Sequence, residues 1–253
     1  MNRHLDPYGF MIPEIFPSAE ADSPLNLVSS CPCEFWFDGQ DASTFTLNGV
    51  NVIQQDDKSG FARHISNAVD ARRPSYDVAT GRVSFVAANN DYLQSAAFGA
   101  PLTQPFIIFF VYKITGSLAN VEVVFSGADA IDFEIFYSNM NKFVMEAPTT
   151  LQSSGANNAN DNIHVGLFNG ASSEYWINGV LGVTGNAGTN ALGGITLGAS
   201  FLLANFADVD IMEVIVFNAD ISDVDRDIIT GYLANKWDIT ATTTHKGYVL
   251  TTE

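Results

Sequence analysis

The stretch DVDIMEVIVFNADISDVDRDIITGYLANKWDI (residues 208–239) decides the fold. Its first part, VDIMEVIVFN, is dense in β-branched residues and bounded by Asp and Asn, the pattern of a strand. Its second part changes period: Ile228, Ile229, Tyr232 and Leu233 recur at helical spacing. Ser222 stands where an N-cap belongs, Asp225 answers it three residues on, and Asp223 suits the positive end of the helix dipole. This reads as a strand followed by a helix over about 222–237, with an apolar stripe to lay on a sheet and Trp237 closing the contact.

Upstream of that helix, from Glu34 to about Phe217, the chain is strand after strand. EFWFD, RVSFVAA, PFIIFFVYKI, VEVVFSG, DFEIFYS, KFVMEA, NIHVGLFN, SEYWING and GITLGAS are short, rich in β-branched and aromatic residues, and bounded by Gly, Asn, Asp or Pro. Asn178-Gly179 is a type I′ hairpin signal. No long amphipathic helix interrupts the run, which argues against parallel βαβ units. The expectation is an all-β antiparallel sandwich (a jelly roll) over residues 34–240, with one C-terminal helix.

Residues 1–33 read as an extended arm. Pro7, Pro13, Pro17 and Pro24 exclude a long helix or central strand, yet Tyr8, Phe10, Ile12, Ile15 and Phe16 are too apolar for a mere solvated tail. Such an arm either lies on a partner chain or folds back over its own domain. Residues 241–253 form a Thr-rich tail.

Composition narrows the function classes. With 28 Asp and Glu against 11 Lys and Arg, the formal charge is −17, which argues against nucleic acid, whose phosphates are gripped through Lys and Arg. Hydrophobic residues make up 47%, enough for a sizeable core. The two cysteines, Cys31 and Cys33, form a strained Cys-x-Cys spacing with no third cysteine to complete a zinc site, and read as free thiols. The N-terminus lacks a continuous apolar segment of the secretory kind. The longest apolar run, PFIIFFVY (105–112), is too short to span a bilayer, so membrane insertion is not expected.

FWFDGQDASTFTL (35–47), DDKSGFARH (56–64), RRPSY (72–76), VSFVAANNDYL (83–93) and the closing 210–239 stretch together resemble laminin-G-like, concanavalin-A-like jelly-roll domains. More narrowly, they resemble those of bacteriophage structural proteins and bacterial surface proteins. The resemblance covers roughly residues 34–240. It implies two antiparallel sheets packed face to face, and binding roles that run from glycans to other proteins. Fold alone does not fix which of these applies.

Three candidate sites follow. DVDIME imitates the Glu-x-Asp-x-x-Glu strand of glucanases on the same general fold, with Asp208 in the nucleophile's place. Strict alternation would put Asp208 and Asp210 on one face and Glu213 on the other, among Val209, Ile211, Ile215 and Phe217. Only a bulge would unite them, so catalysis is not expected. Asp208 and Asp210 remain candidate Ca²⁺ ligands if loop carboxylates complete the shell. DDKSGFARH offers His64 behind Asp56 or Asp57, but lacks a nucleophile and reads as a charged loop turning at Ser59-Gly60. Tyr92, Tyr175 and Trp176 could stack on sugars; Tyr175 and Trp176 point to opposite faces, so one of the two must serve the core. Tyr92 and Trp176 are the glycan-binding candidates.

The sequence therefore points first to a non-enzymatic virion structural protein of a bacteriophage, made in the host cytoplasm. It would decorate a capsid or form part of a head fibre or tail, as a homo-oligomer docked through residues 1–33. The alternative is a carbohydrate-binding module for host surface glycans, with a glycoside hydrolase behind both.

Overall fold

The computed structural model describes residues 23–128, 134–138 and 141–243. The arm residues Tyr8, Phe10, Ile12, Ile15 and Phe16 lie outside them.

In chain order the strands are β1 (Cys33–Asp38), β2 (Phe45–Asn48), β3 (Asn51–Gln55), β4 (Ile65–Ser66), β5 (Ser75–Asp77) and β6 (Arg82–Phe85). They continue with β7 (Leu93–Ser95), β8 (Phe106–Ile114), β9 (Glu122–Ser126), β10 (Glu134–Ser138), β11 (Lys142–Glu146) and β12 (Thr150–Gln152). The last are β13 (Asn162–Phe168), β14 (Ser173–Ile177), β15 (Val180–Gly185), β16 (Thr196–Leu197) and β17 (Val209–Phe217). A short helix α1 (Pro24–Leu27) precedes them and α2 (Asp223–Lys236) follows.

All pairings are antiparallel. One layer runs β1–β17–β8–β13–β14–β15. The other runs β12–β11–β10–β9–β16–β7–β4–β3–β2. Strands β5 and β6 bridge them, since β5 pairs with β3 and β6 with the start of β17. The expected all-β antiparallel sandwich with one C-terminal helix is the observed architecture.

Two apolar layers result. Between the sheets lie Phe35 and Phe37 of β1, Phe110 and Tyr112 of β8, Phe125 of β9, Phe143 of β11, and Val209, Ile211, Val214 and Val216 of β17. On the outer face of the first layer, Trp36, Phe109, Val165, Trp176, Ile215 and Phe217 are covered by Ile229, Leu233 and Trp237 of the α2 region. This two-sided burial explains why β8 reads as a near-continuous apolar run, and why β13 and β17 are rich in apolar residues on both faces instead of alternating.

The helix begins where its cap dictates. The Asp225 amide donates to Ser222 Oγ at 3.1 Å and Ser222 Oγ donates to the Asp225 carboxylate at 2.9 Å. The Asn178-Gly179 turn carries φ of 50° and 75°, the left-handed pair a type I′ hairpin requires.

Candidate functional site

Strand β17 does not alternate strictly. Ile211 stands opposite Tyr112 and Glu213 opposite Val111, so Met212 is an extra residue, a β-bulge. Val209 and Ile211 face the core between the sheets, whereas Met212, Ile215 and Phe217 face the helix. Glu213, bonded to Trp36, Tyr232 and Trp237, is also on the helix side. The expectation that Glu213 turns away from Asp208 and Asp210 is therefore corrected: one extra residue resets the period and returns Glu213 to their face. The bulge is anchored by the Gly39 amide, which donates to the Met212 carbonyl at 2.9 Å. A Cβ on Gly39 would meet that carbonyl oxygen at 2.6 Å and Gly81 O at 2.0 Å, so only glycine fits.

Sharing a face does not open Glu213 to solvent. Glu213 is 0% exposed and accepts from Trp36 Nε1 (2.9 Å), Tyr232 OH (3.0 Å) and Trp237 Nε1 (2.6 Å). Lys236 Nζ lies 2.9 Å from Glu213 and 2.6 Å from Asp38, and Lys58 Nζ reaches both Asp38 and Asp41 at 2.8 Å. Lys58 also sits 4.1 Å over the Trp36 ring. Burial pushes the Glu213 carboxyl up, against the opposing pull of Lys236. Burial also works to raise Asp38, but Lys236 and Lys58 together hold it below the usual carboxylate range. FWFDG, DKSG and the strand-plus-helix stretch thus meet at one buried ion cluster that fastens α2 to the sandwich.

Asp208 and Asp210 serve separate partners. Asp208 Oδ1 accepts from the Ala87 amide at 2.8 Å, and Asp210 Oδ1 accepts from Ser84 Oγ at 2.6 Å. Arg82 Nη1 is 4.0 Å from Asp210 and bonds Asp161 through both terminal nitrogens. Among the described residues, no three His, Cys, Asp or Glu side chains converge as a metal site. Trp176 is only 5% exposed and lies under the Arg226 guanidinium, 4.2 Å from the ring centroid. Tyr175 is buried between the sheets, its hydroxyl 3.0 Å from His164 Nδ1. Neither ring offers a face to solvent: Tyr175 lies between the sheets, and α2 covers the outer face on which Trp176 lies. Tyr92 is half-buried at the start of β7, on the other sheet from Trp176. Cys31 and Cys33 are free thiols, as read from their spacing, and burial pushes both up.

The DDKSGFARH loop builds a concave feature. Asp57 is buried and accepts from the Trp36 amide (3.0 Å), the Ser59 amide (2.9 Å), Ser59 Oγ (2.7 Å) and the Arg63 amide (3.0 Å). Left-handed φ at Gly60 (91°) and Ala62 (56°) turn the loop tip outward, leaving Phe61 47% exposed. Strand β4 follows this loop and pairs with β7, Ile65 opposite Ser95, so the segment after β7 arrives at the same end. Residues 61–64, Ser66 and residues 96–100 line the resulting cleft of about 560 Å³.

In the cleft lining the Arg63 guanidinium lies over both rings, 4.8 Å from the Phe61 centroid and 4.2 Å from that of Phe98. Its Nη1 donates to Glu34 Oε2 at 2.6 Å and to the Glu34 carbonyl at 2.5 Å. The Asp57 amide donates to His64 Nδ1 at 3.0 Å, so that nitrogen is an acceptor and the ring proton belongs on Nε2. Phe61 and Phe98 were not singled out by sequence reading. The available signal was an aromatic ring beside Gly60 in an otherwise polar loop.

No protein-family model matches the chain, and no curated protein matches it. Solved structures resemble it in fold. Domain 4 of AbnA, a GH43 extracellular arabinanase from Geobacillus stearothermophilus, in complex with arabinotriose, superposes with a TM-score of 0.54 at 9% identity, covering 80% of this chain and 98% of that one. The botulinum neurotoxin serotype D binding domain gives 0.55 at 12% identity, covering 81% and 52%. Trypanosoma rangeli sialidase gives 0.49 at 11%, and this chain spans 33% of the sialidase chain. At these identities the likeness to the arabinanase domain and the neurotoxin binding domain shows a shared β-sandwich fold.

Proposed function

We propose that this chain is a lectin-like, non-catalytic binding module that holds a glycan in the cleft lined by Phe61, Phe98 and His64. The carrying observation is the cleft itself: two aromatic rings about a fixed guanidinium, with a histidine beside them, at a pre-organised loop. Aromatic faces offer apolar area for a sugar's C–H face, and the neighbouring polar groups offer hydrogen bonds. The near whole-length fold likeness to a domain solved in complex with arabinotriose adds support from outside the chain. A non-catalytic role is favoured because Glu213, the third carboxylate of the glucanase-like strand, is fully buried under a helix.

A glycan array, with and without Ca²⁺, tests the proposal. Binding that falls in Phe61→Ala and Phe98→Ala is expected, and silence across the array would refute it. The acidic strand is tested by polysaccharide turnover, where the wild type should match an Asp208→Asn variant at background level.

Display of such a module on a bacteriophage particle, anchored by residues 1–33, is the second reading. It is supported by the sequence resemblance and by the apolar, proline-rich composition of that segment. Removing residues 1–30 should abolish incorporation into particles while leaving a folded sandwich; normal incorporation would sink this reading.

A further inference from the structure

Resting on the reading of the cleft as a glycan site, we infer that its ligand is an uncharged sugar and that acidic sugars are excluded. The argument is one of charge. The cation of the cleft lining, Arg63, is already paired with Glu34 at 2.6 Å, and both side chains are largely withdrawn from solvent, at 14% and 12% exposure. The same Arg63 nitrogen also holds the Glu34 carbonyl, so the guanidinium is locked by two acceptors on β1. A carboxylate or sulfate ligand would have to displace Glu34 or share its cation, leaving an excess negative charge in a part-buried position.

The His64 Nδ1 is already engaged, accepting the Asp57 amide at 3.0 Å, and is not free to meet an anionic ligand. Asp56 Oδ1, 3.4 Å from the same nitrogen, adds negative potential at the rim. Beyond the cleft, the whole chain carries −17, a field that repels polyanions on approach. What remains is recognition suited to neutral sugars: ring faces from Phe61 and Phe98, and hydrogen bonding from His64 Nε2 and Ser66 at the walls. The volume of about 560 Å³ falls within the range of small-ligand sites, about 300–1,000 Å³.

The experiment is direct binding of the full chain to two immobilised panels, one of neutral pentose and hexose oligosaccharides, one of uronate-, sialate- and sulfate-bearing ones. Each panel is run at low and at high salt. Wild type should bind members of the neutral panel, unchanged by salt. Phe98→Ala should weaken that binding about five- to tenfold, the loss of one aromatic face. Glu34→Gln removes the charge that neutralises Arg63 while keeping the backbone carbonyl bond; it should gain acidic-panel binding that salt screens. Phe61→Ala, an exposed position that cannot harm the core, guards against misfolding of the other variants. Wild-type binding confined to the acidic panel would overturn this inference while sparing the glycan reading. Neutral binding untouched by Phe61→Ala and Phe98→Ala would overturn the cleft's assignment, and silence on both panels would overturn the glycan reading itself.

Discussion

Replacing Glu213 with glutamine tests the buried ion cluster with almost no change of shape. The carboxylate takes hydrogen bonds from Trp36 Nε1, Tyr232 OH and Trp237 Nε1, and pairs with Lys236 at 2.9 Å. Glutamine keeps one acceptor oxygen, and its amide must then face a donor, on either the Trp36 and Tyr232 side or the Trp237 side. At least one buried N–H loses its partner, which costs about 1–3 kcal/mol. Lys236 loses one of two carboxylates but keeps Asp38 at 2.6 Å, so the full cost of breaking a buried pair, about 3–5 kcal/mol, is not reached. The sum is roughly 3 kcal/mol, a fall in Tm of about 6–12 °C for a domain of this size. Thermal and urea unfolding followed by tryptophan fluorescence reads it, since two of the three tryptophans, Trp36 and Trp237, bond Glu213. In Glu213→Gln/Lys236→Met the loss should be smaller than the sum of the single losses, because the two groups interact. A Glu213→Gln protein that melts within about 1 °C of wild type would show that the cluster does not fasten the helix.

Three further outcomes are expected. Asp57→Ala leaves the buried Trp36 amide without its acceptor and unties the loop at Ser59 and Arg63, costing about 2 kcal/mol; hydrogen exchange should quicken at residues 58–64 and glycan binding should vanish. Gly39→Ala drives a Cβ to 2.0 Å from Gly81 O and 2.6 Å from Met212 O; both are backbone atoms, so the bulge must shift and urea unfolding should report a loss of about 3 kcal/mol. His164 is fully buried, and burial pushes its imidazole down to about 3. In the unfolded chain it takes a proton below about 6.5, so between those values the unfolded state binds more protons and stability falls as pH falls. The contribution is fully present above about 6.5 and amounts to at most about 5 kcal/mol. A His164→Gln variant should show a flatter stability profile between pH 6 and 4, measured by urea midpoints across that range.

Much of the sandwich could be read from short-range chemistry. The strands that came through clearly are those with two buried faces, β8, β13 and β17, because segments rich in apolar and β-branched residues and bounded by turn residues carry their own signal. The helix announced itself through Ser222 and the Ile229–Leu233 stripe. Strands β2, β4, β5 and β7 are two to four residues long, too short to show a period, and β4 and β7 exist through partners some thirty or more residues away, so local pattern missed them.

The site was less legible for the same reason. Alternation correctly set Tyr175 and Trp176 on opposite faces, but it does not reveal that α2 lies over the second face and covers Trp176. Met212 as an extra residue leaves no mark in the letters, yet it reverses the side on which Glu213 falls. The cleft joins residues 61–64 to 96–100 through the β4–β7 pairing, a contact between segments some thirty residues apart that only the folded chain provides.

The most direct test of the account is to map where a bound glycan sits. Amide shifts of the labelled protein would be followed during titration with the neutral oligosaccharide that binds best. Perturbations gathered at residues 57–66 and 96–100 are predicted, with the strand at 208–213 unmoved. Perturbations centred on 208–213 and the neighbouring Ser84 and Ala87, with the cleft silent, would contradict it.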